Sequence, residues 1–293
     1  MYLKKKLKKI FIFNYLYRHY IYPRLFQSEF DIQIIRNLNL RYSIDVGASS
    51  GLYTIELSKI SDLCLSFEPI LEEFTNLKKI LKRNVILHNC ALSNKNKKSF
   101  LNIPINSGKY EYPRASLQKS FFKQKKIKVT TKKFDTLEKK IMKSKKIDFI
   151  KIDVEGHENK VIKGMTETLK FNRPILLIEI ERRHNKDYLW LFKFLKKFGY
   201  NCFYTDNGII LKKFKLRLLK KLQNPKNEIN EEKKKKIKKK FVRKYINNFW
   251  FIPPKKKWNQ EFNFLNGNFV IVSKSIFKEI GTLDYHYKHG MGD

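Results

Sequence analysis

Apolar and polar positions along this chain follow two alternating periods. Short, nearly continuous apolar runs bounded by turn residues predict buried strands at 43–46, 63–68, 84–88 (running on toward Ala91), 146–154 and 173–180. Between them, apolar residues recur at helical spacing over 52–60, 71–83, 134–144, 157–170 and 187–198. Two further strands are expected at 99–103 and 127–131, joined by a loop that holds Pro104, Gly108 and Pro113. Runs at 200–205 and 209–213 flank Asp206-Asn-Gly208, which reads as a hairpin turn. Strands alternating with helices, with apolar runs too continuous for a half-exposed sheet, predict an α/β fold. Its mostly parallel sheet would be covered on both faces and closed by an antiparallel edge hairpin. No internal repeat is present.

In such a sheet a ligand lies at the carboxyl ends of the strands, near the point where strand order reverses. The first strand ends in Asp45-Val-Gly47, and a turn of small residues leads to Gly51 and a helix. Strand, glycine-bearing turn and helix in that order can hold a nucleotide-like cofactor, although an ordinary βα turn with two glycines has the same form. Gly47 allows a sharp turn with no Cβ in the way, and Gly51 is expected to bring the helix start close to the sheet. Glu68 ends the second strand 23 residues after Asp45, where a carboxylate can accept hydrogen bonds from ribose hydroxyls. The third strand ends near 89–93, the expected place of an adenine edge.

The fourth strand ends in Lys151-Ile-Asp153-Val-Glu155-Gly-His157-Glu158, and alternation puts Lys151 and Asp153 on one face. A helix dipole favours acids in its first turn, which accounts for Glu155 and Glu158 but not for Asp153. Strand five adds Glu179 and Glu181, with His184 beyond. Asp153, Glu155, Glu181 and His184 could gather a divalent cation. Carboxylate clusters also arise without metal, and no metal is expected.

Composition changes the picture only in places. The 293 residues carry a formal charge of +37, but Lys, Asn, Ile and Phe are abundant together, so part of the basicity reflects general composition. The excess is densest in 207–257, with 19 basic and 3 acidic groups, and vanishes in 258–293, with 3 and 4. Three isolated cysteines, Cys64, Cys90 and Cys202, show no metal or redox spacing and fit a reducing cytoplasm. The apolar run near the N-terminus is cut by Asn14 and Arg18, too soon for a signal peptide or a spanning helix. Its lysines and aromatics suit either a helix packed on the domain or weak peripheral association with an anionic membrane.

With these residues in place, the chain resembles the FkbM family of class I S-adenosylmethionine-dependent methyltransferases. The resemblance is carried by Ile44-Asp-Val-Gly-Ala48 with Gly51-Leu-Tyr-Thr54, Phe67-Glu-Pro69, Ala91-Leu-Ser93 and, most specifically, Asp148-Phe-Ile-Lys-Ile-Asp-Val-Glu-Gly-His-Glu158. It continues through Val161-Ile-Lys-Gly164, Pro174 to Glu179 and Asn248-Phe-Trp-Phe-Ile-Pro253, covering about 36–254 in order. It implies a Rossmann-like sandwich with a mostly parallel seven-stranded sheet, S-adenosyl-L-methionine as methyl donor, and O-methylation of a hydroxyl on a carbohydrate or other acceptor. The implied cofactor contacts are Asp45, Gly47, Ala48, Ser49, Gly51, Tyr53, Glu68, Asn89, Ala91 and Asp153. Ser49 departs from the asparagine common in the family at that turn. The implied reaction needs a base for the hydroxyl proton. Asp153 is the first candidate and Glu155 the second; His157 is either a third or a helix cap. The loop Arg114-Ala-Ser-Leu117 is expected to overlie the site and meet the acceptor.

These readings divide the chain into a basic and aromatic N-terminal helical extension at 1–35, the methyltransferase domain at 36–256 with a Lys-rich insertion at 212–244, and a C-terminal extension at 257–293. The last segment, from Phe264-Leu-Asn-Gly to His289-Gly-Met-Gly-Asp293, resembles a fragment of a GT-A glycosyltransferase, too short to form that fold. A hairpin and helix docked on the domain is the other reading. An RNA-binding protein or RNA methyltransferase is the alternative function, motivated by the run Lys233 to Lys240. No RNP-type aromatic motif or zinc finger accompanies that run, and nucleic acid is not expected as a partner.

Overall fold

The computed structural model describes residues 30–106, 108–118, 123–141, 145–205, 211–225 and 245–254. The expectations for 1–29, the 206–208 turn, the 233–240 run and 257–293 lie outside the described residues.

The chain opens with α1 (Phe30–Ile35), then β1 (Leu40–Val46), α2 (Leu52–Ile60), β2 (Ser61–Phe67), α3 (Leu71–Lys78) and β3 (Val85–His88). A smaller group follows: β4 (Ala91–Leu92), β5 (Lys97–Asn106), β6 (Lys109–Tyr110) and β7 (Gln124–Lys132). The second half holds α4 (Phe134–Ile141), β8 (Phe149–Ile152), α5 (Glu158–Gly164), α6 (Thr166–Asn172), β9 (Ile175–Glu179) and α7 (Tyr188–Lys197). It closes with β10 (Asn201–Tyr204), β11 (Lys212–Lys213), α8 (Leu219–Leu222) and β12 (Asn248–Ile252).

The main sheet has eight strands in the order β11-β10-β12-β9-β8-β1-β2-β3. From β3 to β9 neighbours run parallel; β12 runs antiparallel to both β9 and β10. This is the expected α/β, Rossmann-like architecture. Strand order reverses beside β1, which puts the carboxyl ends of β1, β2 and β8 at one crevice.

Alternation along the strands divides the core. Ile44, Val46, Ile150, Ile152, Leu176 and Phe249 pack on one face with Val161, Leu169 and Leu191 from the second-half helices. Cys64, Phe149, Ile175, Leu177 and Trp250 pack on the other with Ile35 of α1 and Leu57 of α2. Strands sandwiched this way must be apolar on both sides, which is why they read as continuous runs.

Several boundaries differ from the sequence reading. The β10–β11 pair forms the antiparallel edge, but β12 inserts between β10 and β9, making eight strands where seven were expected. Its Asn-Phe-Trp-Phe-Ile run, bounded by Pro253-Pro254, enters the sequence reading through the family resemblance and not as a strand, because its sheet partners lie far away in sequence. The helix expected over 157–170 is two, because Met165 leaves helical geometry at φ −125. α1 belongs to the fold, not to an extension ending at 35. Its buried Asp31 accepts hydrogen bonds from Trp250 Nε1 (2.6 Å) and Asn248 Nδ2 (2.9 Å). Residues 211–225, placed mostly in the Lys-rich insertion, are also built in: Phe214 stacks on Phe192, and Gln223 Nε2 donates to the Ile180 and Ile246 carbonyls.

Candidate active site

The site begins where β1 runs out of sheet. Gly47 turns the chain at φ 85, a left-handed backbone that side chains disfavour. A Cβ there would lie 1.9 Å from the Asp153 carbonyl oxygen, so the first turn rests directly on the end of β8. Gly51 also needs its missing side chain, but its close neighbour is Leu77 of α3, not the sheet. Between them Ser49 adopts φ 47, and its N–H donates to Glu68 Oε2 at 2.7 Å. The Ile70 N–H donates to the other oxygen at 2.8 Å. Burial pushes the Glu68 carboxyl up to about 7, against the pull of those donors and with neighbouring carboxylates adding to it. Two N–H donors leave further lone pairs on this carboxylate for a hydroxyl ligand.

The opposite wall is the end of β8. Lys151, fully buried, reaches Asp153 Oδ2 at 3.1 Å and lies 4.5 Å from the Tyr53 ring centroid. Burial alone would lower the Lys151 ammonium, yet Asp153, Glu179 and Asp45 together hold it above its ordinary value. Two residues on, Glu155 stands at φ 49, a left-handed conformation unusual outside glycine. Its Oε2 lies 2.6 Å from His184 Nδ1, and Glu181 Oε2 lies 3.7 Å from the same nitrogen. Burial raises the Glu155 carboxyl, with the His184 contact pulling the other way; that same contact raises His184. The turn is held from below by Glu158, whose Oε1 accepts the Gly156 N–H at 2.7 Å and whose Oε2 accepts from Asn185 at 3.0 Å.

His157 is a different kind of residue. Its Nε2 meets Ser93 Oγ at 2.9 Å, its Nδ1 has no partner, and burial pushes it down to about 3. It is therefore neutral at ordinary pH and a poor proton acceptor. It heads α5 without a side-chain cap bond.

These walls enclose a cleft with about 770 Å³ of space including its open mouth. Gly47, Ser49, Glu68, Ala91, Asp153, Glu155 and His157 all contribute to its lining. The other expected contacts lie just outside. Asp45 is buried beneath it and accepts the Thr54 hydroxyl at 2.6 Å, because alternation turns it toward α2. Burial pushes its carboxyl up to about 6. The Ala48 N–H donates to the Phe67 carbonyl, Gly51 faces Leu77, and Tyr53 faces Lys151. Asn89 donates to the carbonyls of Glu68 (2.9 Å) and Pro69 (3.1 Å), bracing the second strand end instead of entering the cleft.

A small second sheet in the order β4-β7-β5-β6 carries the roof. Tyr112, Pro113, Ala115 and Leu117 line the cleft, placing the expected 114–117 loop over it. Ser116 Oγ donates to the Glu155 carbonyl and Gln118 Nε2 to that of Gly156 (3.3 Å), which ties roof to wall. Sequence reasoning missed Tyr112, although Tyr110-Glu-Tyr112-Pro is an aromatic pair in a loop. It also gave His184 no role except metal ligation. Among the described residues no group of three or more His, Cys, Asp or Glu side chains is arranged to hold a metal ion. No helix among them is long and apolar enough to cross a membrane.

Residues 45–202, from the end of β1 to the start of β10, match the model of the methyltransferase FkbM domain. The chain belongs to the FkbM methyltransferase family. No curated protein matches the sequence. Among solved structures, the FkbM methyltransferase from Methylobacillus flagellatus KT is 14% identical at a TM-score of 0.44, covering 73% of this chain and 44% of that one. This chain thus spans less than half the length of that FkbM relative. An rRNA methylase from Streptococcus thermophilus is 10% identical (TM-score 0.39; 76% and 91% covered). The plantazolicin methyltransferase BpumL, in complex with a pentazolic desmethylPZN analog and SAH, is 13% identical (TM-score 0.37; 85% and 91% covered).

Proposed function

We propose that this FkbM-family chain uses S-adenosyl-L-methionine to methylate a hydroxyl of a sugar or glycan. One observation carries the reading: a single cleft has Glu68, backed by two backbone N–H groups, on one side and Asp153 with Glu155 on the other. The residues present fit an adenosyl donor. Glu68 offers a carboxylate to ribose hydroxyls, Gly47 leaves the floor free of a side chain, and Ala91 and Leu92 give an apolar surface beside them.

When bound, the donor supplies an electrophilic methyl on a sulfonium, which departs as a neutral thioether once the S–CH₃ bond breaks and the O–CH₃ bond forms. The chain's own task is to align a hydroxyl and exclude water, and the 112–117 roof suits that task. Asp153 accepts the hydroxyl proton, with the Lys151 ammonium at 3.1 Å orienting its carboxylate. Glu155, braced by His184, is the second acceptor, and a neutral His157 is left to shape the floor. A base in this position contributes about 10²–10⁴-fold. The cytoplasm is the proposed compartment, supported by three unpaired cysteines.

Calorimetric titration of the full chain with S-adenosylmethionine tests this. Saturable binding to the wild type, weakened by about tenfold or more in Glu68→Ala, is expected. No binding to a well-folded wild type would sink the proposal, and unchanged affinity in the variant would remove the ribose assignment. With an acceptor in hand, Asp153→Asn should keep donor affinity and lose turnover.

A further inference from the structure

A second groove runs along the outer side of the cleft and shares Pro69, Ile70 and Tyr112 with it. It holds about 1100 Å³ of space including its open mouth. Its floor is apolar, with Ile103, Ile127 and Val129 from the paired strands β5 and β7. Leu71, 65% exposed at the start of α3, stands at its lip.

Three of the seven polar side chains around this floor are lysines. Lys98, Lys125 and Lys128 contribute to the lining, all three exposed. The lining has one carboxylate, Glu72, and its Oε2 accepts the Tyr112 hydroxyl at 2.7 Å. Lys125 Nζ lies 4.6 Å from the Tyr110 ring centroid, and the Tyr110 and Tyr112 rings are 6.1 Å apart at 30°. The lysine is thus held against an aromatic surface and not simply dispersed in solvent. An apolar floor, the Tyr112 ring and ammonium groups together suit a ring with C–H faces, hydroxyls and a negative substituent. The C–H faces lie on the aromatic and aliphatic surface, and the ammonium groups pair with the anion.

We propose that this groove is the acceptor subsite and that its ligand is an anionic sugar, a hydroxyl-bearing ring carrying a carboxylate or a phosphate. The proposal rests on the methyl-transfer reading above. Tyr112 is its pivot, because it lines both spaces and so connects the place where the anion is held to the place where a hydroxyl meets Asp153. A nucleic acid would use the lysines as well, but a tracked backbone calls for successive stacking faces, and Tyr112 is the one aromatic in the lining.

Saturation-transfer NMR on the full chain with S-adenosylhomocysteine tests the groove, with glucuronate, glucose 6-phosphate, glucose and a ten-nucleotide RNA as probes. Salt-sensitive binding of at least one charged sugar, about tenfold or more tighter than glucose, is expected. Whichever charged sugar binds assigns the anion as carboxylate or phosphate. The double variant Lys125→Glu/Lys128→Glu should lose that preference by about tenfold or more. Lys193→Glu/Lys196→Glu, at exposed positions on α7, should keep it. Equal binding of charged and neutral sugars, or a preference surviving in the groove variant, overturns the proposal. So does RNA as the sole ligand displaced by the groove variant. Calorimetry with S-adenosylhomocysteine separates the two levels. Cofactor binding without charged-sugar binding defeats the subsite alone, whereas no cofactor binding defeats the methyl-transfer reading on which it rests.

Discussion

Glu155 and His184 meet at 2.6 Å although they belong to separate loops, one after β8 and one after β9. Glu155 holds a left-handed backbone there, and Gly156 packs so closely beneath the second loop that a Cβ would lie 2.5 Å from the His184 carbonyl oxygen. The bond and the tight approach fix each other. A non-glycine residue kept at such a backbone costs of order 1–3 kcal/mol, a cost proteins tolerate most often where geometry serves function.

The contact has a measurable consequence. Glu155 raises the His184 imidazolium above the ordinary histidine value, so the stabilisation it brings is full below about 6.5 and is lost as pH rises through the folded value. In Glu155→Gln, NMR titration of the His184 ring should show its pKa falling back toward the ordinary range. An unmoved titration would mean the pair is not coupled.

Glu68 should make donor binding pH-dependent. Its carboxyl is pushed up to about 7 by burial, and ribose hydroxyls donate best to the ionised form. Affinity for S-adenosylhomocysteine is therefore expected to rise between pH 5.5 and 8, with a proton released on binding below about 7. Calorimetry in buffers of different ionisation enthalpy reads that proton directly, and Glu68→Gln should abolish the release. The same shift acts against folding. The native state holds this proton more tightly than the unfolded chain, so the Glu68 contribution to stability declines as pH rises from about 4.5 to 7.

Gly47→Ala and Gly108→Ala separate backbone strain from steric contact. Both residues have positive φ, 85 and 75, but a Cβ at Gly108 meets nothing within 4 Å while one at Gly47 strikes the Asp153 carbonyl. Gly108→Ala should cost about 1–2 kcal/mol. Gly47→Ala should cost clearly more, about 4 kcal/mol or above, and weaken donor binding as well. Urea unfolding of the two variants gives the comparison, and equal losses would remove the steric argument.

Asp31 tests how far the N-terminal helix belongs to the domain. It is buried and accepts from both Trp250 and Asn248. Asp31→Ala leaves those two donors without their acceptor and should destabilise the chain by about 2–4 kcal/mol, read by urea unfolding. A change below about 0.5 kcal/mol would return α1 to the status of an appendage.

The sequence displayed the walls of the site better than its roof. Gly47, Glu68 and Asp153 stand at the ends of apolar runs, where strand geometry and sheet topology dictate position with little freedom. Asp45 shares that run, but strand alternation turns it toward α2, where it accepts the Thr54 hydroxyl. Tyr112 and His184 come from loops, whose path depends on partners far along the chain, such as Glu72 and Glu155. No local period carries that information. β12, legible in the sequence only through the family resemblance, escapes placement in the sheet for a related reason: its five residues are all buried, yet their sheet partners lie at 176–179 and 201–203.

The placement of β12 bears on how the protein is made. Asn248–Ile252 fills the slot between β9 and β10, so β9 keeps an unpaired edge until that late segment has left the ribosome. The exposed edge would be Ile175-Leu-Leu-Ile178, an apolar template of the kind that recruits other chains. The half of the sheet beyond β9 therefore closes only once residue 252 has been made. A stop just before Asn248 would yield a nascent chain with a nearly complete cofactor cleft and an open, adhesive flank.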